Sequence, residues 1–202
     1  MLKGFLIGLV FANGFEWVAH KYILHGTHRT GQPRFSPIPR SMKSHWAHHR
    51  EVRTASFHDV GYVEGISNWR TKNEIVSLAI VAGGASLAFY PISKGMVLAS
   101  LYSAGNYYYI HRRAHLEPEW AKGKIPWHYD HHMNANQDAN WCVTKPWFDY
   151  LLGTRVISSA DLQEKNPLGI ALPKPLSIWL SDKVNRVFPA KWVEQPQTLT
   201  TQ

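Results

Sequence analysis

Ten of the twelve histidines in this chain fall into four tight groups, and the spacing within the groups is typical of metal ligands. The second and fourth groups repeat one pattern, His-x-x-His-His, as HWAHH and HYDHH. Residues at i, i+3 and i+4 share one face of a helix, so each copy is predicted to present three imidazoles on one side. The third group has the i, i+4 spacing and also shares a face. The candidate ligands are His20, His25, His45, His48, His49, His111, His115, His128, His131 and His132.

The first group is different, because His20 and His25 are five residues apart and do not lie on one stripe of an α-helix. We therefore expect the helix to end near Gly26, so that His25 turns back toward His20. The two remaining histidines lie outside these spacings. His28 is close enough to the first group to contact a ligand from outside, and His58 is predicted to lie in a loop.

Imidazole is the commonest metal ligand in proteins and suits iron, zinc and copper. Ten imidazoles exceed what one ion needs, so the sequence predicts two ions with about five ligands each and room for a small molecule. Neutral imidazoles do not compensate the charge of the ions, so bound hydroxide, oxide or carboxylates must do so. For the acids among the outer candidates, a solvated surface position is the alternative. The candidates for orienting the ligands from outside are Glu16, Asp130, Asp138, Asn140 and Asp149.

Apolar runs flank the histidine groups and must position them. Residues 2–19 are apolar and lead directly into His20, which predicts a membrane helix, since about 20 apolar residues span a bilayer. A signal peptide is the alternative, although no clear Ala-x-Ala cleavage site follows. A second apolar block, residues 75–110, is interrupted by Pro91 and predicts a hairpin of two short or tilted spans. A buried helix pair of a soluble core is the alternative for this block.

Small residues within the second block are expected to let the two helices of the hairpin pack closely. They are Gly83, Gly84, Ala85, Ala99, Ser100, Ala104 and Gly105.

The chain has a formal net charge of +8, and the basic residues are unevenly placed. They concentrate in residues 26–72 and directly after the hairpin, whereas the tip of the hairpin holds only Lys94. By the positive-inside tendency, both histidine-bearing segments are predicted to face the cytoplasm. This accounts for the surplus charge without nucleic acid as a partner. The single cysteine, Cys142, excludes an internal disulfide.

The predicted fold is therefore all-α: an integral membrane protein with several short transmembrane helices and a cytoplasmic, histidine-rich helical cap. Residues 1–155 form this membrane domain, and residues 156–202 form a C-terminal tail. The amphipathic stretch at residues 176–188 of the tail is expected to be a helix on the membrane surface or an ordinary surface helix.

The four histidine groups, in their order along the chain, resemble the histidine boxes of the fatty acid hydroxylase and sterol desaturase superfamily. Those boxes read His-x3-4-His, His-x-x-His-His, His-x3-His and His-x-x-His-His. The stretch NWCVTKPWFDYLLGT, residues 140–154, is similar to the family's ending, in which an Asn leads to a Trp/Phe-Asp and Gly-Thr close. The resemblance covers residues 16–154, about two-thirds of the chain. Longer members often have a hairpin before the first box, where this chain has one apolar run.

This resemblance implies a membrane-bound two-metal site, normally di-iron, that activates O2 and oxidises a C–H bond of a fatty acyl or sterol-like lipid. The product is an alcohol, or a double bond when a second hydrogen is lost. Electrons come from an external donor of the ferredoxin or cytochrome type, because the sequence has no haem, flavin or iron–sulfur motif. Zinc is expected to be able to replace iron on purification.

Other functions remain open from the residues alone. A desaturase or a carotenoid hydroxylase would use the same ligands. A membrane zinc hydrolase is disfavoured, because His-Glu-x-x-His is absent. A metal-binding or transport protein without catalysis is expected to place ionisable residues within its spans, whereas these histidines cluster at helix ends.

Overall fold

The computed structural model describes residues 1–26 and 40–193, and most of these residues are helical. The predicted all-α class is confirmed for this part of the chain. His28 and residues 194–202 of the predicted tail lie outside it. The α-helices, in chain order, are α1 (Leu2–Val18), α2 (Arg40–Thr54), α3 (Gly61–Glu64), α4 (Trp69–Phe89), α5 (Lys94–Leu116), α6 (Pro118–Lys124), α7 (Pro126–Met133), α8 (Trp147–Leu151) and α9 (Lys174–Val187).

The long helices α1, α4 and α5 pack side by side, and the closest approach is between α1 and α5. A Cβ atom added to Gly8 of α1 would lie 2.5 Å from the Cβ atom of Ala99 on α5, so these backbones pack together only without a side chain there. The expectation that glycines draw α4 and α5 together is wrong for three of the residues named. A Cβ atom at Gly83, Gly84 or Gly105 would meet nothing within 4 Å.

Helices α4 and α5 form the predicted hairpin and are joined by a turn at residues 90–93. Among the described residues, two helices are long and apolar enough to cross a membrane, Leu2–Leu24 and Trp69–Phe89. The predicted third span, α5, is not one of them, because its second half reads YYYIHRRAHL and is polar. Only 6% of the most apolar window of α4 is buried, whereas a helix in a soluble core is mostly buried.

Short helices form a layer at one end of the long ones. Val52, Phe57, Ala114 and Trp127 are fully buried together, which joins α2, α5 and α7. Proline at the first position of α6 and of α7 fixes where each helix begins. This layer holds most of the histidines.

The C-terminal segment packs against the same layer through Arg155, which is fully buried at the predicted domain boundary. Its guanidinium donates to Glu164 at 2.6 Å and to Asn140 at 3.2 Å, and lies 3.5 Å from Asp130. Strands β1 (Val156–Ile157) and β2 (Lys191–Trp192) form a two-residue parallel pair. Between them in the chain, α9 exposes apolar side chains, among them Ile178 and Trp179.

Candidate metal centre

The structure brings all ten candidate histidines together in the buried interior, at the junction of the long helices and the short ones. Nine of them form two clusters in which the candidate ligand atoms lie within 4.8 Å of one another. The first cluster comprises His20, His25, His45, His49 and His131. The second comprises His48, His111, His115 and His132. The tenth, His128, places its Nε2 atom 3.2 Å from Nε2 of His115, at the edge of the second cluster.

The first cluster has the geometry of a coordination sphere. Nε2 of His49 lies 3.2 Å from that of His25, 3.1 Å from that of His45 and 3.3 Å from that of His131. One imidazole nitrogen either donates or accepts one proton, so three such contacts are not all hydrogen bonds. Nitrogens that share an ion at bonds of about 2.1 Å lie about 3.0 Å apart at right angles and about 3.4 Å apart in a tetrahedron. The distances therefore fit a shared cation.

The second cluster fits a cation for a different reason, which is that four of its ring nitrogens have no hydrogen-bond partner in the described part of the chain. The buried Nε2 atoms of His48 and His111, and both ring nitrogens of His132, make no hydrogen bond. An unpartnered polar atom in the interior costs about 1–3 kcal/mol. A bound cation would remove this cost for the nitrogens that ligate it, since each neutral imidazole has one ring nitrogen with a lone pair to offer.

Each His-x-x-His-His copy supplies ligands to both clusters, although each was predicted from one helix face. Adjacent residues in a helix point about 100° apart. His49 therefore faces the first cluster while His48 faces the second, and His131 and His132 divide in the same way. The two clusters meet at His49 and His132, whose ring centres are 4.2 Å apart.

A π-helical segment, Ala19–Leu24, resolves the odd spacing of the first group. The helix ends at Leu24, near Gly26 as expected, but His25 does not turn back after that end. Instead, the helix widens, and the backbone N–H of His25 donates to the carbonyl of His20 at 3.0 Å. A π turn spans five residues rather than four, so residues at i and i+5 share a face. Such turns are often found at functional sites.

The Nδ1 atoms of three of the ligands bond to backbone carbonyl oxygens. Nδ1 of His20 lies 2.5 Å from the carbonyl oxygen of Trp141, and that of His131 lies 2.7 Å from the carbonyl oxygen of Ala139. Nδ1 of His115 lies 3.0 Å from the carbonyl oxygen of Phe57. Carbonyl oxygens only accept, so Nδ1 carries the proton and Nε2 keeps its lone pair for an ion.

Two carboxylates that sequence reasoning missed bind the histidines of the second cluster. Asp59 lies 2.7 Å from Nδ1 of His48, and Glu74 lies 2.6 Å from Nδ1 of His111. The hydroxyl of Tyr62 donates to Glu74 at 2.6 Å. The signal for Glu74 was an isolated acid at the start of an apolar helix. Asp59 gave no such signal, because it lies in a loop.

Four of the five predicted outer candidates, Glu16, Asp130, Asn140 and Asp149, hydrogen-bond to loops beside the clusters rather than to the ligand histidines in the described part of the chain. Glu16 accepts hydrogen bonds from the backbone N–H of Thr144 at 2.8 Å and from its hydroxyl at 2.7 Å. Asp149 accepts from the backbone N–H of Cys142 at 2.9 Å, which belongs to the same peptide unit as the Trp141 carbonyl that bonds His20.

The other three candidates lie in the surrounding loops or hydrogen-bond to them. Asp130 accepts from the backbone N–H of Ser158 at 3.0 Å. Asn140 adopts a positive φ of 58° and donates its amide to the carbonyl of Val156. Asp138 is exposed, and its neighbour Gln137 instead places its amide nitrogen 3.2 Å from Nδ1 of His49. His58 is exposed in a loop, as predicted.

Burial sets the charge of the ligands. It lowers the pKa of His131 to about 4 and the pKa of His45, His49 and His132 well below the usual range. The imidazoles are thus neutral at pH 7, the form that binds metal. Burial acts to raise the pKa of Asp59, but hydrogen bonds from His48 and Arg70 outweigh it and hold this pKa below its usual range. Asp59 is therefore an anion beside the second cluster.

A cavity of about 750 Å³ runs from the histidines between α1, α4 and α5. One end is lined by His20 and His45 of the first cluster and by His48 and His111 of the second. The rest is lined mainly by apolar or small side chains: Phe11, Phe15, Leu78, Val81, Ala85, Ala88 and Phe89.

Comparisons with known proteins do not assign this chain to a family. No protein-family model, no curated protein and no solved structure matches the chain. What the structure establishes is a helical protein with two buried histidine clusters able to hold metal ions.

Proposed function

We propose that this protein is a membrane-bound two-metal oxygenase that hydroxylates a C–H bond of a lipid. The observation that carries the proposal is the cavity, whose polar end is lined by histidines of both clusters and whose remainder is apolar. Ligand sites of enzymes are typically concave and largely apolar, with a few placed polar groups. An apolar chain in this cavity would have its carbon atoms beside both ions.

Iron is the metal we propose, because imidazole suits it and because the histidine boxes resemble those of a di-iron family. Five histidines would hold one ion, and four, with His128 beside them, would hold the other. Bound there, the iron pair would supply the reduction of O2 that C–H oxidation requires. Zinc binds the same donors and is expected to replace iron in some preparations.

The protein's own residues would position the reactants and exclude water. Asp59 and Glu74 orient His48 and His111 and place negative charge beside ions that are otherwise bound by neutral ligands. Phe11 and Phe89 line the apolar part of the cavity, and their rings make an edge-to-face contact with 5.1 Å between the ring centres. A dry cavity protects a reactive centre from side reactions with water.

The reaction balances only with an external reductant. One oxygen atom of O2 enters the C–H bond to give the alcohol. The other leaves as water with two protons and two electrons. We propose a separate ferredoxin or cytochrome as the electron donor, since the sequence carries no haem, flavin or iron–sulfur motif.

We place the protein in a membrane as a multi-pass protein with the histidine centre on the cytoplasmic side. The support is the length and apolar composition of Leu2–Leu24 and Trp69–Phe89, together with the exposure of α4. Val76, Ile80 and Leu87 of α4 are exposed, and lipid would cover them. The basic residues that flank the histidine groups give the orientation.

The deciding experiment compares lipid extracts of cells with and without the protein, grown under isotopically labelled O2. A lipid that gains one labelled oxygen supports a hydroxylase, and a carotenoid among the products identifies a carotenoid hydroxylase. A loss of two hydrogens indicates a desaturase on the same site. If the purified protein holds two ions and no lipid changes, the proposal fails and a metal-binding or transport protein takes its place.

A further inference from the structure

We infer that the C-terminal segment from α8 to α9 rests on an anionic phospholipid leaflet, with an apolar stripe of α9 in the membrane interface. The stripe is formed by Leu176, Trp179 and Val187. The inference rests on the proposed function, because it takes α1 and α4 as membrane helices. It adds a second membrane contact, made by a helix that is too short, at 14 residues, to span a bilayer.

Helix α8 is held against the part of α1 that is proposed to cross the membrane. The amide of Asn13 donates to the carbonyl of Lys145 at 3.0 Å, and a Cβ atom added to Gly14 would lie 2.7 Å from the ring of Phe148. Gly14 precedes His20 by six residues, which is about 9 Å of helix. Helix α8 therefore lies beside the proposed span, displaced from the histidine centre toward the membrane.

Exposed apolar side chains continue from α8 toward α9. Leu151 and Leu152, at the end of α8, are each about half exposed. The indole N–H of Trp147 donates to the carbonyl of Leu168 at 3.0 Å, which holds the loop before α9 against α8. Leu168 and Ile170 of this loop are exposed as well. Contact with lipid would remove these side chains from water at a level that α8 has already fixed.

Asn166 connects the same loop to α9. Its amide donates to the carbonyl of Ile170 at 2.8 Å and lies 3.3 Å from the hydroxyl of Ser177, a buried residue of α9. The side of α9 that carries Ser177 therefore packs on the loop. The three residues of the stripe lie about 80–160° around the helix from Ser177, so they face away from the protein.

The stripe has the composition of an interfacial helix. Leu176, Trp179 and Val187 are exposed and lie within about 80° of one another around α9. Lys183 is exposed in the same sector, where its apolar stem covers the stripe while its ammonium group reaches water. A helix with lysine on its polar side and Trp and Leu on the other is typical of a membrane interface.

The charges of the segment favour an anionic leaflet over an apolar protein surface. Residues 174–193 carry four basic side chains and one acid: Lys174, Lys183, Arg186, Lys191 and Asp182. Asp182 pairs with Arg186 at 3.0 Å, and the three lysines are exposed. Anionic lipids of the cytoplasmic leaflet attract basic residues near the surface. The proposed orientation puts the histidine layer, and this segment with it, on that side.

The test places a nitroxide on one introduced cysteine of the metal-loaded protein, in vesicles that contain anionic phospholipid. In Val187→Cys the nitroxide should collide more often with O2, which concentrates in lipid, than with a water-soluble nickel chelate. Ile178→Cys is the matched control and should show the reverse. Ile178 is exposed to a similar extent, 59% against 67%, but lies about half a turn around the helix from Val187. Cys142 is fully buried, and the unmodified protein measures its background labelling.

Leu87→Cys on α4 separates failure of the inference from failure of the proposed membrane placement. Leu87 is exposed on a proposed span and should report lipid. If its nitroxide reports lipid and that of Val187→Cys reports water, the placement stands and the inference is overturned. If both report water, both fail. A nitroxide at Val187→Cys that neither reagent reaches would show that protein covers the stripe, a second copy or a partner, and would also overturn the inference.

Lys183→Glu combined with Lys191→Glu tests the charges. In anionic vesicles the nitroxide of Val187→Cys should shift toward water, because each basic residue near such a surface contributes about fivefold to binding. In neutral vesicles the shift should be small. Lys94→Glu is the control, since Lys94 is exposed at the tip of the hairpin, on the other side of the proposed membrane. Equal shifts in the two kinds of vesicle would overturn the choice of an anionic leaflet. Metal content is measured for every variant.

Discussion

The backbone N–H of His25 donates to the carbonyl oxygen of His20, 3.0 Å away and five residues earlier, and this contact aligns the two imidazoles. It is a π turn in a helix that is otherwise α-helical. The histidine boxes that this chain resembles allow three or four residues between the first two histidines. An α turn and a π turn each put such a pair on one face, so both spacings satisfy one geometry.

The first prediction follows from this turn. Deletion of Tyr22, a half-exposed residue inside the turn, should convert it to an α turn and keep both histidines on one face. We expect metal content close to that of the unmodified protein. Insertion of an alanine after Tyr22 should separate the pair and remove the metal of the first cluster, about half of the total. Elemental analysis of the purified proteins distinguishes the two; equal loss in both would show that the π turn itself is required.

The division of adjacent histidines between the two clusters predicts how double variants combine. His49→Ala and His131→Ala each remove a ligand of the first cluster, so the double variant should lose no more than about one ion per chain. His49→Ala combined with His132→Ala affects both clusters and should lose both ions. His58→Ala is the control, since His58 is exposed in a turn. Equal metal content in the two double variants would contradict the assignment.

Glu74 is predicted to strengthen metal binding without being a ligand. Glu74→Gln keeps the shape of the side chain but removes the negative charge beside His111. The loss of a partner of this kind should weaken metal affinity by about 10–100-fold. Competition with a chelator measures the change. Glu119→Gln alters an exposed acid that pairs with Lys122 and should change nothing. Unchanged affinity in Glu74→Gln would leave this carboxylate without a role in the metal centre.

Two neighbouring glycines of α4 allow a matched test of the cavity. Gly84 lines the cavity and Gly83 does not, and neither has any atom within 4 Å of an added Cβ. Gly84→Leu should fill part of the cavity and reduce lipid binding and oxidation at least about tenfold, while metal content stays the same. Gly83→Leu changes the same helix by the same side chain and should be active. Loss of activity in both variants would point to the helix rather than to the cavity.

Arg155 is predicted to stabilise the fold rather than the chemistry. Arg155→Met leaves Glu164 and Asp130 buried without their cation and should lower the free energy of unfolding by about 3–5 kcal/mol. Arg113→Met removes an exposed pair with Glu117 and should have little effect. Thermal unfolding in detergent compares the two. A small effect of Arg155→Met would mean that the C-terminal segment is not held through this residue.

The sequence by itself determined which residues form the centre, because ligand type and spacing are properties of single helices. It predicted the ten histidines, the helical hairpin and the all-α class, since each follows from periodicity within one segment. The spacing rule failed at His25, where the helix departs from 3.6 residues per turn, and it did not predict that adjacent histidines face different clusters.

Only the tertiary structure decided how the segments combine. It separates His48 from His49, brings Asp59 and Glu74 to the second cluster, and opens the cavity beside both. The physical reason is that periodicity gives the face of a helix but not the neighbour that this face meets. That neighbour is chosen by packing, here by the close contact of Gly8 with Ala99, which joins α1 to α5.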